Sequence, residues 1–146
     1  MKHKFLTLII ILSFALVLNC KENDSGQEEG APVDPLKEKG IGPVKEVKLG
    51  AIESSMVERG KATFELKCTA CHKFDEKVVG PALKDVTRRR TPEWIMNMML
   101  NPIEMTKQDK IAQELLATHL TQMTPQNLSE SDARDILEYL RKMDGN

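Results

Sequence analysis

Cys68-Thr69-Ala70-Cys71-His72 is the stretch of sequence that decides the fold. Two thiols three positions apart, with an imidazole directly after the second, form the pattern through which a c-type haem is attached. Each thiol can add to one vinyl group of the porphyrin, and the adjacent imidazole then supplies the proximal nitrogen to the iron. The sequence therefore predicts one covalent haem c, bound by Cys68, Cys71 and His72.

Three other interpretations of this pair of thiols are weaker. A redox-active dithiol prefers a thioredoxin-like βαβ setting, of which the sequence shows no sign. A zinc site would need a second CxxC motif or an HxxxH motif, and the sequence has neither. A structural disulfide between Cys68 and Cys71 stays open, although the histidine that follows favours haem attachment.

Length and composition indicate one small domain with appendages. The 146 residues carry a formal net charge of -1, so no nucleic-acid partner is indicated. Aromatic residues make up only 4%, which is lean for a core of this size. A bound haem would add a large apolar surface to such a core.

The N-terminal residues predict export and attachment to a membrane. Two lysines precede an apolar run, residues 5–18, that is short for a membrane span and suited to a signal sequence. Residues 1–19 are therefore predicted to be a signal peptide, and Cys20 resembles the acylated cysteine of a bacterial lipoprotein. Because Asn19 replaces the small residue expected before that cysteine, an uncleaved signal anchor is the alternative. Both interpretations put the rest of the chain outside the cytoplasm.

Residues 20–53 are predicted to contain the lipid-anchor cysteine and a flexible tether, since the polar residues from Lys21 to Gly40 cannot fold alone. Two more apolar pieces, residues 41–44 and 47–49, either lie as an extended strip against the domain or continue the linker. The folded domain is predicted to cover residues 54–146.

Helical spacing predicts a first helix that is capped by Ser54 or Ser55 and leads into Cys68. Gly60 inside this helix costs about 1 kcal/mol relative to alanine, which indicates that another helix approaches closely there. The chain after the CTACH motif is expected to be irregular, because Gly80-Pro81 breaks any helix. This proline either buttresses the proximal imidazole, with the carbonyl before it as acceptor, or is an ordinary turn proline.

Three further helices are predicted. One starts at Thr91-Pro92-Glu93 and ends at Asn101-Pro102. The next covers about residues 107–120, and the last starts at a capping box formed by Ser129 and Asp132. The buried stripe of the last helix is predicted to contain Ala133, Ile136, Leu137, Leu140 and Met143.

Residues 54–146 resemble a class I cytochrome c, specifically a small bacterial mono-haem one. The resemblance rests on Gly60 and Phe64 before the CTACH motif, on Gly80-Pro81 after it, on Met123 followed closely by a proline, and on the letters ILEYL in the last helix. CTACH is highly specific, and the other features are weak singly but occur in the family's order.

The resemblance implies an all-α, cytochrome c-like fold of about four to five helices around one covalently bound haem. The first and last helices of that fold cross at right angles. At the crossing, two residues of the first helix, Gly60 and Phe64, would meet Ile136 and Tyr139 of the last. The proline of the Gly80-Pro81 pair would hold the proximal imidazole in orientation.

The same resemblance makes Met123 the distal ligand, so the predicted iron ligands are His72 and Met123. Met123 lies in a predicted loop, and a loop can wrap the far face of a haem. Met105, also expected in a loop, is a minor rival. His119 is the serious competitor, because it falls on the apolar side of its helix. Its preferred interpretation is a partly buried, hydrogen-bonded histidine at the wall of the haem crevice.

Two axial ligands leave the iron no open position, so the preferred function is one-electron carriage and not enzymatic catalysis. The protein is expected to be an extracytoplasmic lipoprotein, periplasmic or on the outer surface. Its partners would be of quinol-cytochrome c reductase, terminal oxidase or nitrogen-oxide reductase type, by family analogy. The alternative is a haem enzyme of peroxidase type, or a gas or redox sensor with a displaceable distal ligand.

The charges of the predicted domain are divided unevenly along the chain. Residues 67–90 contain seven basic and three acidic residues, whereas residues 91–146 contain five basic and nine acidic ones. Such a dipole could orient the encounter with an acidic redox partner, and the rate would then fall with salt. A plain solvated surface is the alternative for the run Arg88-Arg89-Arg90.

Overall fold

A computed structural model describes residues 33–146, which fold into six helices with no strand among them. The helices are α1 (Ser54–Lys67), α2 (Val86–Arg89), α3 (Pro92–Leu100), α4 (Pro102–Gln108), α5 (Lys110–His119) and α6 (Glu130–Asp144). The predicted all-α fold class is confirmed. The predicted signal peptide and Cys20 lie outside the described residues. Within residues 33–146, no helix combines the length and the apolarity that a bilayer span requires.

The first and last helices, α1 and α6, pack closely against each other. A Cβ atom on Gly60 would overlap the carbonyl group of Asp135 and lie 2.9 Å from the backbone nitrogen of Ile136, so only glycine fits at this point. One turn further on, the rings of Phe64 and Tyr139 lie 5.4 Å apart. The predicted contacts between the two helices are therefore present.

The predicted start of α1 is wrong by one residue. The N-cap is Glu53, whose side chain makes no capping hydrogen bond, and both Ser54 and Ser55 lie inside the first turn. The backbone N–H of Val57 donates to the Glu53 carbonyl at 3.1 Å, so the first helical turn begins one residue earlier than a cap at Ser54 would allow.

The helix predicted over about residues 107–120 is present as α5, but its predicted start is wrong because residues 107 and 108 belong to α4. Helix α3 ends before Pro102, which is the first residue of α4, and α4 in turn ends before Asp109. The Asp109 carboxylate accepts hydrogen bonds from the Ala112 N–H at 2.8 Å, which caps α5, and from the Trp94 indole N–H at 3.1 Å. Leu120 is not on the apolar side of a helix, because it adopts left-handed φ of 54° and is 85% exposed.

The last helix follows its prediction except at one position. The capping box of Ser129 and Asp132 is present, and the predicted stripe is buried up to Leu140. The prediction that Met143 is buried is wrong, because this residue is 50% exposed.

Residues 33–53, called the strap below, run along the outer side of α3. Val44 is buried, with an exposed fraction of 6%. The side chain of Asn97 in α3 forms hydrogen bonds with the strap. The Asn97 amide donates to the carbonyls of Lys39 at 2.8 Å and Val44 at 2.9 Å, and it accepts from the Val44 N–H at 3.0 Å. The strap therefore follows the alternative of a strip lying against the domain. The packed part of the chain therefore begins before Ser54, which was predicted to be the first residue of the folded domain.

Candidate haem-binding site

A cavity of about 290 Å³ lies between the helices, and its wall is mostly apolar. The structure brings four predicted site residues to this wall: Cys68, Cys71, His72 and Met123. His119 also lies on it. Residues that span 56 positions of the sequence, from Cys68 to Met123, therefore lie around one cavity.

The two thiols lie where α1 ends. Cys68 is the C-cap of α1, and its carbonyl accepts from the N–H groups of Cys71 at 3.1 Å and His72 at 2.9 Å. This turn brings the second thiol and the imidazole close to the first thiol. Both cysteines carry free thiols, and no disulfide joins them. Burial raises the pKa of the Cys68 thiol to about 11, so it is protonated at neutral pH.

The imidazole of His72 is fixed by its neighbours in the Gly80-Pro81 pair. Its Nδ1 atom lies 3.1 Å from the Pro81 carbonyl oxygen. A carbonyl can only accept, so Nδ1 carries the proton and the lone pair of Nε2 is available to a metal. The acceptor was predicted to be the carbonyl before Pro81, which is wrong: that carbonyl, of Gly80, accepts from the Val78 N–H at 3.3 Å.

The chain around His72 is held by backbone hydrogen bonds. The Gly80 N–H donates to the Cys71 carbonyl, the Leu83 N–H to Lys73 and the Lys84 N–H to Phe74, each at 2.9 Å. A Cβ atom on Gly80 would lie 2.8 Å from Nδ1 of His72, so the backbone passes directly against the imidazole ring. Residues 68–84, called the proximal wall below, thus leave the imidazole little freedom.

Met123 lies on the opposite stretch of the chain, residues 120–129, called the distal segment below. Within the described chain, residues 121–128 make no hydrogen bond from backbone to backbone. Side chains hold the segment instead. Gln122 accepts from the Thr106 hydroxyl at 2.8 Å, and the Lys67 ammonium donates to the Gln126 carbonyl at 2.8 Å. Lys67 is thus a clasp between the end of α1 and the segment that carries Met123.

His119 ends α5 at the edge of the distal segment. Its Nδ1 atom is buried and has no hydrogen-bond partner, so the prediction of a hydrogen-bonded histidine is wrong, although its position at the wall is right. Burial lowers the pKa of His119, and the positive charge of Lys77 lowers it further. The imidazole is therefore neutral at pH 7.

Met105 is not a rival ligand. It lies in α4 and not in a loop, it is fully buried, and it is absent from the cavity wall. Its sulfur accepts from the Ile41 N–H at 2.9 Å, so it packs against the strap.

Two features near the site were not predicted from the sequence: the addition of Phe74 to the predicted contact of Phe64 with Tyr139, and the position of Arg90. The rings of Phe64, Phe74 and Tyr139 lie within 5.8 Å of one another, centre to centre, and fill the corner behind the CTACH turn. The Arg90 guanidinium lies 5.2 Å from the ring centre of Trp94, and both residues line the cavity. Burial, and then the neighbouring Arg89, lower the pKa of Arg90. The aromatic spacing after CTACH was a usable signal, whereas the stacking of Arg90 was not.

The residues present fit a covalently bound haem. The wall holds two free thiols, an imidazole with an available nitrogen, a thioether sulfur and a buried unpaired nitrogen, in otherwise mostly apolar surroundings. Among the residues the structure describes, no three His, Cys, Asp or Glu side chains come together as a metal-ion site. The two thiols, the imidazole and the thioether sulfur on this apolar wall are the groups that would hold a haem.

Comparison with known proteins decides the family. The model of the family "Cytochrome c" matches residues 57–144. The chain belongs to the cytochrome c family. The finding shows a class I c-type cytochrome, whose cofactor is one covalently bound haem c. The family is one of haem-based electron carriers.

Two solved structures are similar over most of this cytochrome c. A cytochrome c from Rhodothermus marinus is 48% identical, with a TM-score of 0.70, over 71% of this chain and 90% of that chain. An engineered form of it, bound to a carbene intermediate, is 46% identical with a TM-score of 0.67, over 72% of this chain and 92% of that chain.

One curated relative matches over a shorter stretch. Cytochrome c-551 of Stutzerimonas stutzeri is 45% identical over 40 residues, which are 27% of this chain and 38% of that protein. The match thus spans less than half the length of this relative.

Proposed function

We propose that this cytochrome c carries single electrons, with its haem attached through Cys68 and Cys71 and its iron coordinated by His72 and Met123. The observation that carries the proposal is the meeting of these four side chains on the wall of one cavity. Iron with both axial positions taken cannot readily bind a substrate, so it exchanges electrons and does little else.

The chain's own residues set the properties of such a centre. The hydrogen bond from His72 to the Pro81 carbonyl fixes the tautomer and raises the basicity of the nitrogen toward a metal. A thioether from Met123 favours the ferrous state more than an imidazole does, so the potential is expected to be high for this class. The apolar wall excludes water, which also favours the less charged ferrous centre.

We propose that the segment of excess positive charge, residues 67–90, guides docking. Its three carboxylates each pair with a basic side chain of the same segment, as in Lys73–Glu76 at 3.0 Å. Three of its remaining basic residues, Lys67, Arg89 and Arg90, line the cavity. A net positive surface around the site would steer an acidic redox partner, and the rate of electron transfer should fall as salt rises.

The proposed location is outside the cytoplasm, at a membrane. The proposal combines residues 1–19 as a cleaved signal peptide with acylation of Cys20. Attachment of c-type haem after export agrees with this location. Donor and acceptor are then proteins of the respiratory chain, of quinol-cytochrome c reductase, terminal oxidase or nitrogen-oxide reductase type.

A visible and near-infrared spectrum of the exported ferric protein tests the assignment. We expect the weak near-infrared band of sulfur-to-iron charge transfer, and its loss in Met123→Ala. Met98→Leu is the matched control, because Met98 also lies on the cavity wall and the band should survive its replacement. A band that persists in Met123→Ala, or is lost in Met98→Leu, contradicts Met123 as ligand. A colourless exported protein contradicts the whole proposal.

A haem enzyme or sensor is the second candidate. One observation favours it: an engineered form of the Rhodothermus marinus relative is described as bound to a carbene intermediate, which requires an accessible iron. Rapid binding of carbon monoxide to the ferrous wild-type protein would support this candidate. We expect slow or no binding, because Met123 holds the position.

A further inference from the structure

One buried nitrogen of the described chain stands apart from all its other buried side-chain polar atoms. It is Nδ1 of His119, and every other buried side-chain nitrogen or oxygen of residues 33–146 has a hydrogen-bond partner. Leaving such an atom unpaired is unfavourable, because it loses its hydrogen bonds to water and gains none in the protein. Unpaired buried atoms in folded proteins are rare enough to require a reason, and one common reason is a ligand.

The position of His119 indicates which ligand this is. Its imidazole lies on the wall of the same cavity as His72 and Met123. It precedes Met123 by four residues, with the left-handed turn at Leu120 between them. Any group that fills this cavity will therefore lie against both His119 and Met123.

The histidine content of the chain leaves His119 uncommitted. The sequence contains only His3, His72 and His119. His3 belongs to the predicted signal peptide, and His72 is the proposed proximal ligand. A neutral imidazole is a strong ligand of haem iron.

The distal segment can let Met123 go at low cost. Residues 121–128 make no backbone-to-backbone hydrogen bond in the described chain, so no ladder has to break when the sulfur leaves. The segment is held at Gln122 and at Gln126, on either side of Met123, by side-chain hydrogen bonds. His119 is the last residue of helix α5, so its backbone is anchored there and only its side chain has to turn toward the iron.

We propose that His119 is a second distal ligand of the haem iron, held off the metal while Met123 is bound and binding it when the sulfur leaves. The inference rests on the proposed function. In the exchange one iron–sulfur bond breaks and one iron–nitrogen bond forms through the imidazole lone pair, so no electron and no proton is transferred. The iron stays six-coordinate, and small external ligands must compete with His119 even after Met123 is lost.

The test compares three variants of the full, exported holoprotein: Met123→Leu, Met123→Leu with His119→Leu, and Met123→Leu with Thr121→Ala. Thr121 also lines the cavity, so the third variant is the matched control for losing a polar side chain from the wall. At pH 7, ferric Met123→Leu should be low-spin without the near-infrared sulfur band, as should the control. The variant lacking His119 should be high-spin.

Carbon monoxide binding gives a second measure of the same exchange. If His119 occupies the iron in nine molecules of ten, the ferrous Met123→Leu protein should bind carbon monoxide about tenfold more weakly than the variant that also lacks His119. The Thr121 control should match Met123→Leu. Equal affinities with and without His119, or high-spin ferric Met123→Leu, overturn the inference.

A third measurement uses proteins that retain Met123, in case the Met123→Leu variants fail to bind haem. Wild type and His119→Leu are warmed until the sulfur band disappears. The wild type should stay low-spin and His119→Leu should become high-spin, and a high-spin state in both overturns the inference. A wild type that has no sulfur band even when cold contradicts the proposed ligand Met123 instead, so the two failures are distinguishable.

Discussion

The two sides of the haem cavity are built in different ways. The proximal wall, residues 68–84, is tied to itself by backbone hydrogen bonds, and Gly80 and Pro81 hold its imidazole from two directions. In the distal segment, residues 121–128 make no backbone-to-backbone hydrogen bond and are held by side chains, and a buried nitrogen of His119 lies unpaired beside them. This difference shows that the fold fixes one proposed iron ligand rigidly, whereas it presents the other proposed ligand on a segment with fewer backbone restraints.

The largest effect is expected from Gly80→Ala, which attacks the rigid side. The added methyl group would overlap the His72 ring and lie 2.8 Å from Nδ1, which displaces the imidazole from the Pro81 carbonyl. We expect loss of about 3 kcal/mol of unfolding free energy, because a packed site cannot absorb the extra group. Thermal unfolding and the low-spin fraction of the haem measure this.

Gly50→Ala is the control for that substitution. A Cβ atom on Gly50 meets no heavy atom within 4 Å, so its effect should be small. If Gly80→Ala unfolds at the same temperature as Gly50→Ala and remains low-spin, the proximal wall is not the rigid element described here.

An intermediate effect is expected from Lys67→Met on the distal side. The substitution removes the hydrogen bond from Lys67 to the Gln126 carbonyl and frees one end of the distal segment. A hydrogen bond worth about 1 kcal/mol corresponds to about a fivefold rise in the equilibrium constant for losing the sulfur–iron bond. The temperature at which the near-infrared band disappears should fall accordingly.

Lys73→Met removes an equal charge from the proximal wall and serves as the matched control. Lys73 pairs with Glu76, and both side chains are more than half exposed, so this pair contributes little to stability. The band should disappear at the wild-type temperature. An equal shift in both variants would mean that charge, and not the clasp, controls Met123.

The smallest effect is expected from Leu120→Gly at the start of the distal segment. Leucine at φ of 54° is strained by about 1 kcal/mol, and glycine is not. The greater chain entropy of glycine in the unfolded state offsets part of the gain, so unfolding free energy should rise by about 0.5 kcal/mol. Denaturant unfolding of the holoprotein measures the change.

Leu66→Gly provides the contrast, since Leu66 is equally exposed, at 82%, but lies inside α1. There the same substitution should lower the unfolding free energy by about 1 kcal/mol. A similar loss at both positions would show that the turn after His119 is not strained.

Local signals account for what the sequence predicted well. CTACH is a contiguous motif, and the capping box at Ser129 and the proline start of α3 involve residues only a few positions apart. The site residues Cys68 and His72 were predictable for the same reason. Met123 required the family resemblance, because a methionine in a loop carries no pattern of its own.

Tertiary contacts explain what the sequence could not predict. Asp109 breaks a regular helical pattern because it accepts from the Trp94 indole, 15 positions away. The strap is held by Asn97, whose three hydrogen bonds reach residues more than 50 positions upstream. The sequence around Asn97 or Asp109 does not indicate such distant partners. The unpaired nitrogen of His119 can be recognised only in the folded structure, where it lies at the cavity.

The grip of Asn97 on the strap has a mechanical consequence for a protein proposed to hang from a membrane. Tension applied to the upstream chain would be delivered to Lys39 and Val44, and through the Asn97 amide to the outer face of α3. The Trp94 and Met98 side chains on the inner face of that helix line the cavity. Pulling on the proposed anchor would therefore load the helix that lies between the strap and the cavity, and the proposed iron ligands would bear none of the pull directly.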